Sequence, residues 1–172
     1  MRLIPADDFE LVKSKYIEVI EKTPGITQYA RWVYGRHPTD TSLKSYIDNG
    51  EMFFLMDEDK IAGLVAVVMH QDKEYETVSW SEALANNQVA VLHLLAVCPD
   101  YRGRALGRVI LEEVIDLAKR NGKKALRLDT LKSNLPAQQM YERAGFSYRG
   151  TQYLFAENTD WTDFLYYEKT LD

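Results

Sequence analysis

Between an apolar run, VAVLHLLAV (89–97), and an amphipathic stretch, RVILEEVIDLAKRNG (108–122), the chain reads PDYRGRALG (99–107). A loop of that make-up between a strand and a helix suits an anion. The first N–H groups of a helix lack intrahelical acceptors, the helix dipole favours negative charge there, and together they hold phosphate. Gly103 and Gly107 let a ligand approach the backbone, and Arg102 and Arg104 add charge. The helix is expected to run from Arg104 to Asn121. Ala105 then has helical φ, where its methyl favours the helix by up to about 1 kcal/mol. A slightly displaced but working seat is expected.

Other residues could move protons. His93 is one of three histidines and falls on the same face of the apolar run as Leu95 and Val97. A neutral imidazole there could accept a proton directly or through water; Glu51, Glu82 or a water chain are alternatives. It could equally be a buried histidine satisfied by a backbone carbonyl. Cys98, the single cysteine, has no evident base partner and reads poorly as a nucleophile. His37, His70 and His93 fall on different elements without ligand spacing, so no metal is expected.

Two rival anion loops fit less well. No G-x-x-x-x-G-K-[ST] string occurs. A dinucleotide fold wants G-x-G-x-x-G directly after the strand and an acid roughly 20 residues on. Asp129 stands at about that distance, but the glycines are missing, Pro99-Asp100-Tyr101 lengthens the turn, and repeated βαβ units are absent.

The elements that must position these residues can be read from periodicity. RLIP (2–5) is a short strand. Phe9, Val12, Tyr16, Ile17 and Ile20 have helical spacing, and TPG (23–25) stops that helix. Residues 26–50 read as a second, broken helical region ending at Gly50. Two strands flank the turn DEDK (57–60). Residues 72–88 are polar and irregular, a loop with one short element. The run 89–97 is apolar on both faces, a central buried strand. Leu106, Ile110, Val114 and Leu117 line one side of the following helix, and Gly122 ends it. KALRLDT (124–130) is a strand. NLPAQQMYERAG (134–145) is a helix with Asn134 as N-cap and Pro136 in its first turn. FSYRGTQYLFA (146–156) and DFLYYEKTL (163–171) close the chain as strands. The order predicts an α/β fold with a mixed sheet, with a right-handed parallel crossover at 89–129.

The strings VCPDYRGRALG and NLPAQQMYERAGF resemble the GNAT superfamily of N-acetyltransferases. Arg102, Ala105 and Gly107 occupy positions of its R/Q-x-x-G-x-G/A pyrophosphate loop, Ala105 standing where the family generally has glycine. Asn134, Ala137, Tyr141, Gly145 and Phe146 match its downstream N-x-x-A-x-x-x-Y-x-x-x-G-F pattern. The match covers roughly residues 50–170; the N-terminal third fits in layout. The resemblance implies a GNAT-type, mostly antiparallel sheet with one parallel βαβ crossover and helices on both faces, a single acyl-CoA-binding domain over 1–172. It also implies that the strand before the loop splays from the next and admits pantetheine. Leu95, Ala96 and Val97 would hold the pantetheine, with backbone N–H groups near Leu95 and Val97 polarising the thioester, while Arg102, Gly103, Arg104, Ala105, Leu106, Gly107 and Arg108 would hold the diphosphate, with Asn134, Ala137 and Tyr141 beside the coenzyme. Tyr141 matches the family's usual general acid, which implies a phenol able to donate a proton, the alternative being a tyrosine that packs a helix edge. LHLLAV is similar to the same strand of arylalkylamine acetyltransferases, although Val91 replaces their second histidine. In the family layout QYARWVYGRHP (28–38) covers the acceptor end of the cleft, with Trp32 and Tyr34 on one wall and Tyr153 and Phe155 on the other.

The expected activity is transfer of acetyl from acetyl-CoA to a primary amine of a small molecule, amino acid or peptide, by direct attack in a ternary complex. The alternatives are a non-catalytic acyl-CoA-binding module on the same fold and a nucleotide-dependent oxidoreductase. Of 172 residues, 46% are hydrophobic and 27% charged, a globular composition within the range of one domain. A net charge of −5 argues against a nucleic-acid partner and is compatible with a cationic acceptor. The longest apolar runs fall well short of a membrane span, and no signal-peptide pattern opens the chain. With a single cysteine, this reads as a cytoplasmic protein. Homodimers are common among such domains, but no sequence feature marks a surface for one.

Overall fold

The computed structural model describes all 172 residues. Strand β1 (Arg2–Pro5) leads into helix α1 (Phe9–Lys22). The helix starts where the Asp8 carboxylate accepts the Leu11 N–H at 3.0 Å, and it buries Val12, Tyr16 and Val19. The expected helical region 26–50 is divided. A single turn, α2 (Ile26–Tyr29), follows Gly25, whose φ is +77°, and a β-bridge joins Val33 to His37. Helix α3 (Asp40–Asp48) then begins at a reciprocal capping pair, Thr39 and Ser42.

Strands β2 (Met52–Asp57) and β3 (Lys60–Val68) form a hairpin. The segment up to residue 88 has little regular structure, two short 3₁₀ turns at Lys73–Thr77 and Asn86–Gln88. Strand β4 (Val89–Val97), helix α4 (Leu106–Arg120) and strand β5 (Ala125–Leu131) make the crossover, and helix α5 (Leu135–Arg143) follows. Strands β6 (Ser147–Ala156) and β7 (Asp160–Thr170) close the chain. β7 starts three residues earlier than the sequence pattern suggests, because Asp160 takes φ +55° and turns a tight hairpin that pairs it with Ala156.

The seven strands form one sheet in the order β1-β2-β3-β4-β5-β7-β6. Every pair is antiparallel except β4–β5. Side chains alternate across a strand, and β4 shows what covers each face. Ala90 and Leu92 belong to the main core together with Ile110, Leu111 and Val114 of α4. Val89 and Val91 face Tyr75, Val78 and Tyr166, and His93, of the same parity, stacks on Tyr46 of α3. Helices α4 and α5 therefore share one face, and α1, α3 and the 69–88 segment cover the other. This is the mixed, mostly antiparallel α/β architecture with helices on both faces.

Two local irregularities prepare the site. β4 and β5 pair only through Val89–Ala125, Ala90–Leu126 and Val91–Arg127. Beyond Val91 the strands part, and the rest of β5 pairs only with β7. At the same level β4 bulges: the register against β3 slips between Leu64 and Ala66, and Leu94 has φ +53°. A left-handed conformation costs a branched residue roughly 1–2 kcal/mol and persists only where its surroundings hold it. Here the buried Tyr16 hydroxyl donates to the Leu94 carbonyl at 2.7 Å.

Candidate active site

The parting of β4 from β5 leaves a continuous cleft. Its inner part is lined by Trp32, His37, His93, Asp129 and Tyr141, among others, and its outer part by Val97, Arg102, Pro136 and neighbouring apolar residues. Trp32, Leu95, Asn134, Ala137 and Met140 border both parts. Asn134 starts α5 as the sequence suggests, its Oδ1 accepting the Ala137 N–H at 3.2 Å.

Arg102 carries the outer part to the loop 103–107. The N–H groups of Gly103, Arg104, Ala105, Leu106 and Gly107 donate to no acceptor within the protein; the first paired amide is that of Arg108, to the Ala105 carbonyl at 3.1 Å. α1, α3 and α5 each begin on a side-chain cap, and α4 does not. A run of free donors at a helix N-terminus is the arrangement that holds a diphosphate. The space around Gly103, with φ +75°, is open. Gly107 has a different role: a Cβ there would run into the sulfur of Met140, so its lack of a side chain lets α4 pack against α5.

The loop differs from expectation in two respects. Ala105 is the N-cap with φ +55° and ψ 27°, not a helical residue, so α4 starts at Leu106 rather than Arg104. The methyl is therefore a backbone cost, of roughly 1–2 kcal/mol relative to glycine. The arginines are also committed elsewhere. Arg102 donates to the Lys22 carbonyl at 2.6 Å and to the Thr23 hydroxyl, tying the loop to the end of α1. Arg104 lies over the Tyr101 ring at 5.2 Å, and Arg108 pairs with Glu112 at 2.7 Å. The free donors at the start of α4 are its backbone amides, and Arg104, which touches only the Tyr101 ring, keeps its guanidinium N–H groups unpaired.

At the inner end Tyr141 is buried, with its ring 5.9 Å from Phe146 and 6.2 Å from Tyr167. Its hydroxyl borders the cleft and makes no hydrogen bond in the protein. Burial, and secondarily the Asp129 charge, push its pKa above the ordinary phenol value, so it stays protonated at neutral pH. His93 stacks on Tyr46 at 6.0 Å. Desolvation lowers its pKa, against the opposing pull of Asp129, so it is neutral at pH 7.

Several functional candidates are visible only in three dimensions. Asp129 is the one carboxylate on the inner cleft wall, and its Oδ1 accepts the Tyr75 hydroxyl at 2.5 Å. His37 joins it from the 30–39 turn, its ring edge-on to Trp32 at 6.3 Å. The distance of Asp129 from the glycine loop is a weak signal in the sequence and points to a different fold. Glu51 and Glu82 are not on the cleft wall. Trp32 is, but Tyr34 and Tyr153 are not. Tyr34 donates to Asp40 at 2.7 Å, and Tyr153, 64% exposed, stacks on Trp161 at 5.7 Å outside the cleft, where Phe155 meets the same ring at a 59° tilt, 6.1 Å away. Cys98 is buried and its thiol is pushed up to about 11 by desolvation, which leaves it unreactive near neutrality. No cluster of three or more His, Cys, Asp or Glu residues is arranged to hold a metal ion, and no helix is long and apolar enough to cross a membrane.

Comparison with known proteins gives the same architecture a family. A segment is 41% identical over 58 residues to the [ribosomal protein bS18]-alanine N-acetyltransferase of Escherichia coli K12, covering 34% of this chain and 39% of that protein. The chain spans only 30–39% of the length of the first curated relatives it matches. Among solved structures, an acetyltransferase from Streptococcus agalactiae superposes with a TM-score of 0.78 at 18% identity, over 99% of this chain and 95% of that one. A Salmonella typhimurium protein solved with its cofactor acetyl-CoA superposes at 0.70 and 16% identity, over 100% and 94%. The family model for the Acetyltransferase (GNAT) family matches residues 20–146, and the chain belongs to that family.

Proposed function

We propose that this protein transfers an acetyl group from acetyl-CoA to a primary amine by direct attack. One observation carries the reading: a run of free N–H donors at 103–107 opens onto a cleft whose inner end holds His93, Asp129 and the unpartnered Tyr141 hydroxyl. The residues fit the coenzyme, since α4 alone among the longer helices has an N-terminus without a side-chain cap and the strands part where a pantetheine arm would pass. Acetyl-CoA supplies an activated thioester when bound.

The chain's own groups then have distinct tasks. The amides of 103–107 hold the diphosphate. Leu95, Ala96 and Val97 line the freed stretch of β4 where the pantetheine would lie, and the N–H groups of Leu95 and Val97, which alternate away from β3, are the backbone donors for the thioester carbonyl. An alkyl amine with pKa near 10.4 arrives protonated, and releasing that proton at pH 7 costs roughly 4–5 kcal/mol. Asp129 pairs with the ammonium. Neutral His93 takes its proton, and the nearby carboxylate stabilises the imidazolium that results. Tyr141 gives a proton to the departing thiolate and regains one from the second proton that the acylated nitrogen sheds, while the proton on His93 passes to solvent. Trp32 forms the wall against the acceptor. The acceptor is a small amine, an amino acid or a peptide N-terminus, and the chain works in the cytoplasm.

Thermal shift against CoA, acetyl-CoA and NAD tests the coenzyme. The CoA species should raise the melting temperature by mass action, and NAD should not. An amine panel assayed for free thiol tests the reaction. Stabilisation by NAD alone, or Tyr141→Phe turning over at the wild-type rate, would overturn the reading.

A further inference from the structure

Antiparallel strands are usually joined by two to five residues, yet β3 and β4 are joined by residues 69–88. That segment has little regular structure but an elaborate anchor. Arg127 of β5 and Glu168 of β7, each almost fully buried, pair at 2.8 Å. Arg127 also donates to the Gln71 side chain at 2.6 Å and to the Glu82 carbonyl at 3.1 Å, and lies 4.2 Å over the Trp80 ring. Glu168 accepts the Ser81 N–H at 3.0 Å. A buried ion pair rarely repays its desolvation in stability alone. Here the partners outside the sheet, Gln71, Trp80, Ser81 and Glu82, belong to one loop.

What the anchored loop presents is Tyr75. Its ring stacks on Trp80 at 5.7 Å and meets Tyr166 edge-on at 5.4 Å, and its carbonyl accepts the Trp80 indole N–H at 2.7 Å. Its hydroxyl reaches Asp129, two residues along β5 from Arg127 and so on the same face. One strand thus grips the loop with its arginine and receives the loop's phenol with its carboxylate.

We propose that Tyr75 is a positioning residue for the acceptor site, holding one oxygen of Asp129 so that the other is aimed at the incoming ammonium. The inference rests on the role given above to Asp129. The loop is the arm and the Arg127–Glu168 pair its anchor. The groups that feel the Asp129 charge come from every neighbouring element: His93 on β4, His37 in the 30–39 turn, Tyr46 on α3, Tyr141 on α5, Tyr166 on β7 and Tyr75 itself. Asp72 and Glu74 of the loop add negative charge at His93.

Tyr75→Phe keeps the stacked ring and removes only the hydroxyl. In the full chain, the imidazole NMR titration of His93 reads the carboxylate without any acceptor present. Asp129→Asn should lower the His93 midpoint. Tyr75→Phe should raise it by about half a pH unit, because the carboxylate no longer shares its charge with a phenol. In turnover with acetyl-CoA and a phenethylamine or alanine-amide probe, Tyr75→Phe should raise the amine KM about tenfold and leave the acetyl-CoA KM unchanged. A His93 midpoint unchanged or lowered in Tyr75→Phe overturns the inference. An Asp129→Asn enzyme with the wild-type amine KM and rate instead defeats the role of Asp129, and the titration still judges the hydrogen bond separately.

Discussion

The two ends of the cleft are made of different material. At the outer end the free groups are consecutive backbone amides, and the nearby arginines are engaged with α1, Tyr101 and Glu112. At the inner end the polar groups on the wall include side chains from four separate places: His37 in a turn, His93 on β4, Asp129 on β5 and Tyr141 on α5. A site built from backbone depends on local conformation and survives most side-chain changes. A site built from convergent side chains depends on long-range packing, and one atom can abolish its chemistry.

Substitutions should therefore separate the ends. The largest effect is expected for Asp129→Asn, which removes the only carboxylate on the inner wall: kcat/KM for the amine falls by about 10³, while the thermal shift produced by CoA stays at the wild-type size. Tyr141→Phe should lower kcat by about 10² with the same CoA affinity; a loss of CoA binding in either variant would erase the distinction between the ends. Gly107→Ala attacks the outer end through packing, since the new methyl meets Met140. Denaturant unfolding should show a loss of about 1–3 kcal/mol, relieved by adding Met140→Ala, and CoA binding should weaken in the single variant.

Acid should act at the inner end first. His93 titrates below the ordinary histidine value because it is desolvated. As pH falls past about 6.5 the unfolded chain takes up protons before the folded one does, so its contribution to stability is present above that pH and declines below it. Melting temperatures between pH 7.5 and 5.5 check the sign, and His93→Phe should flatten the slope. The smallest effect is expected for Ala105→Gly. It relieves the left-handed alanine and should stabilise the fold by about 1 kcal/mol, with a CoA affinity within a few-fold of wild type. A more than tenfold gain would mean that the methyl also crowds the diphosphate.

Element order was largely legible, because periodicity is a local property. The apolar run of β4, the amphipathic face of α4 and the Asn134 cap each announce themselves within a few residues. Boundaries were less so where a residue takes an unfavoured backbone region. Ala105 and Asp160 carry no mark of their positive φ, and each moved an element's start. The aromatic stretch around Trp32 shows the limit for side chains. Trp32 and Tyr34 are two residues apart, yet one lines the cleft and the other turns to Asp40.

The sequence by itself determined the loop of free amides, because its donors are neighbours along the chain and a helix terminus leaves them free wherever it falls. It also determined which residue types were present to move protons. Only the tertiary structure decided which of them meet. Asp129 joins His93 because β4 and β5 part after three paired residues, and it joins Tyr75 because a buried arginine holds a loop more than forty positions away. Those contacts arise from packing between distant segments, which no local pattern records.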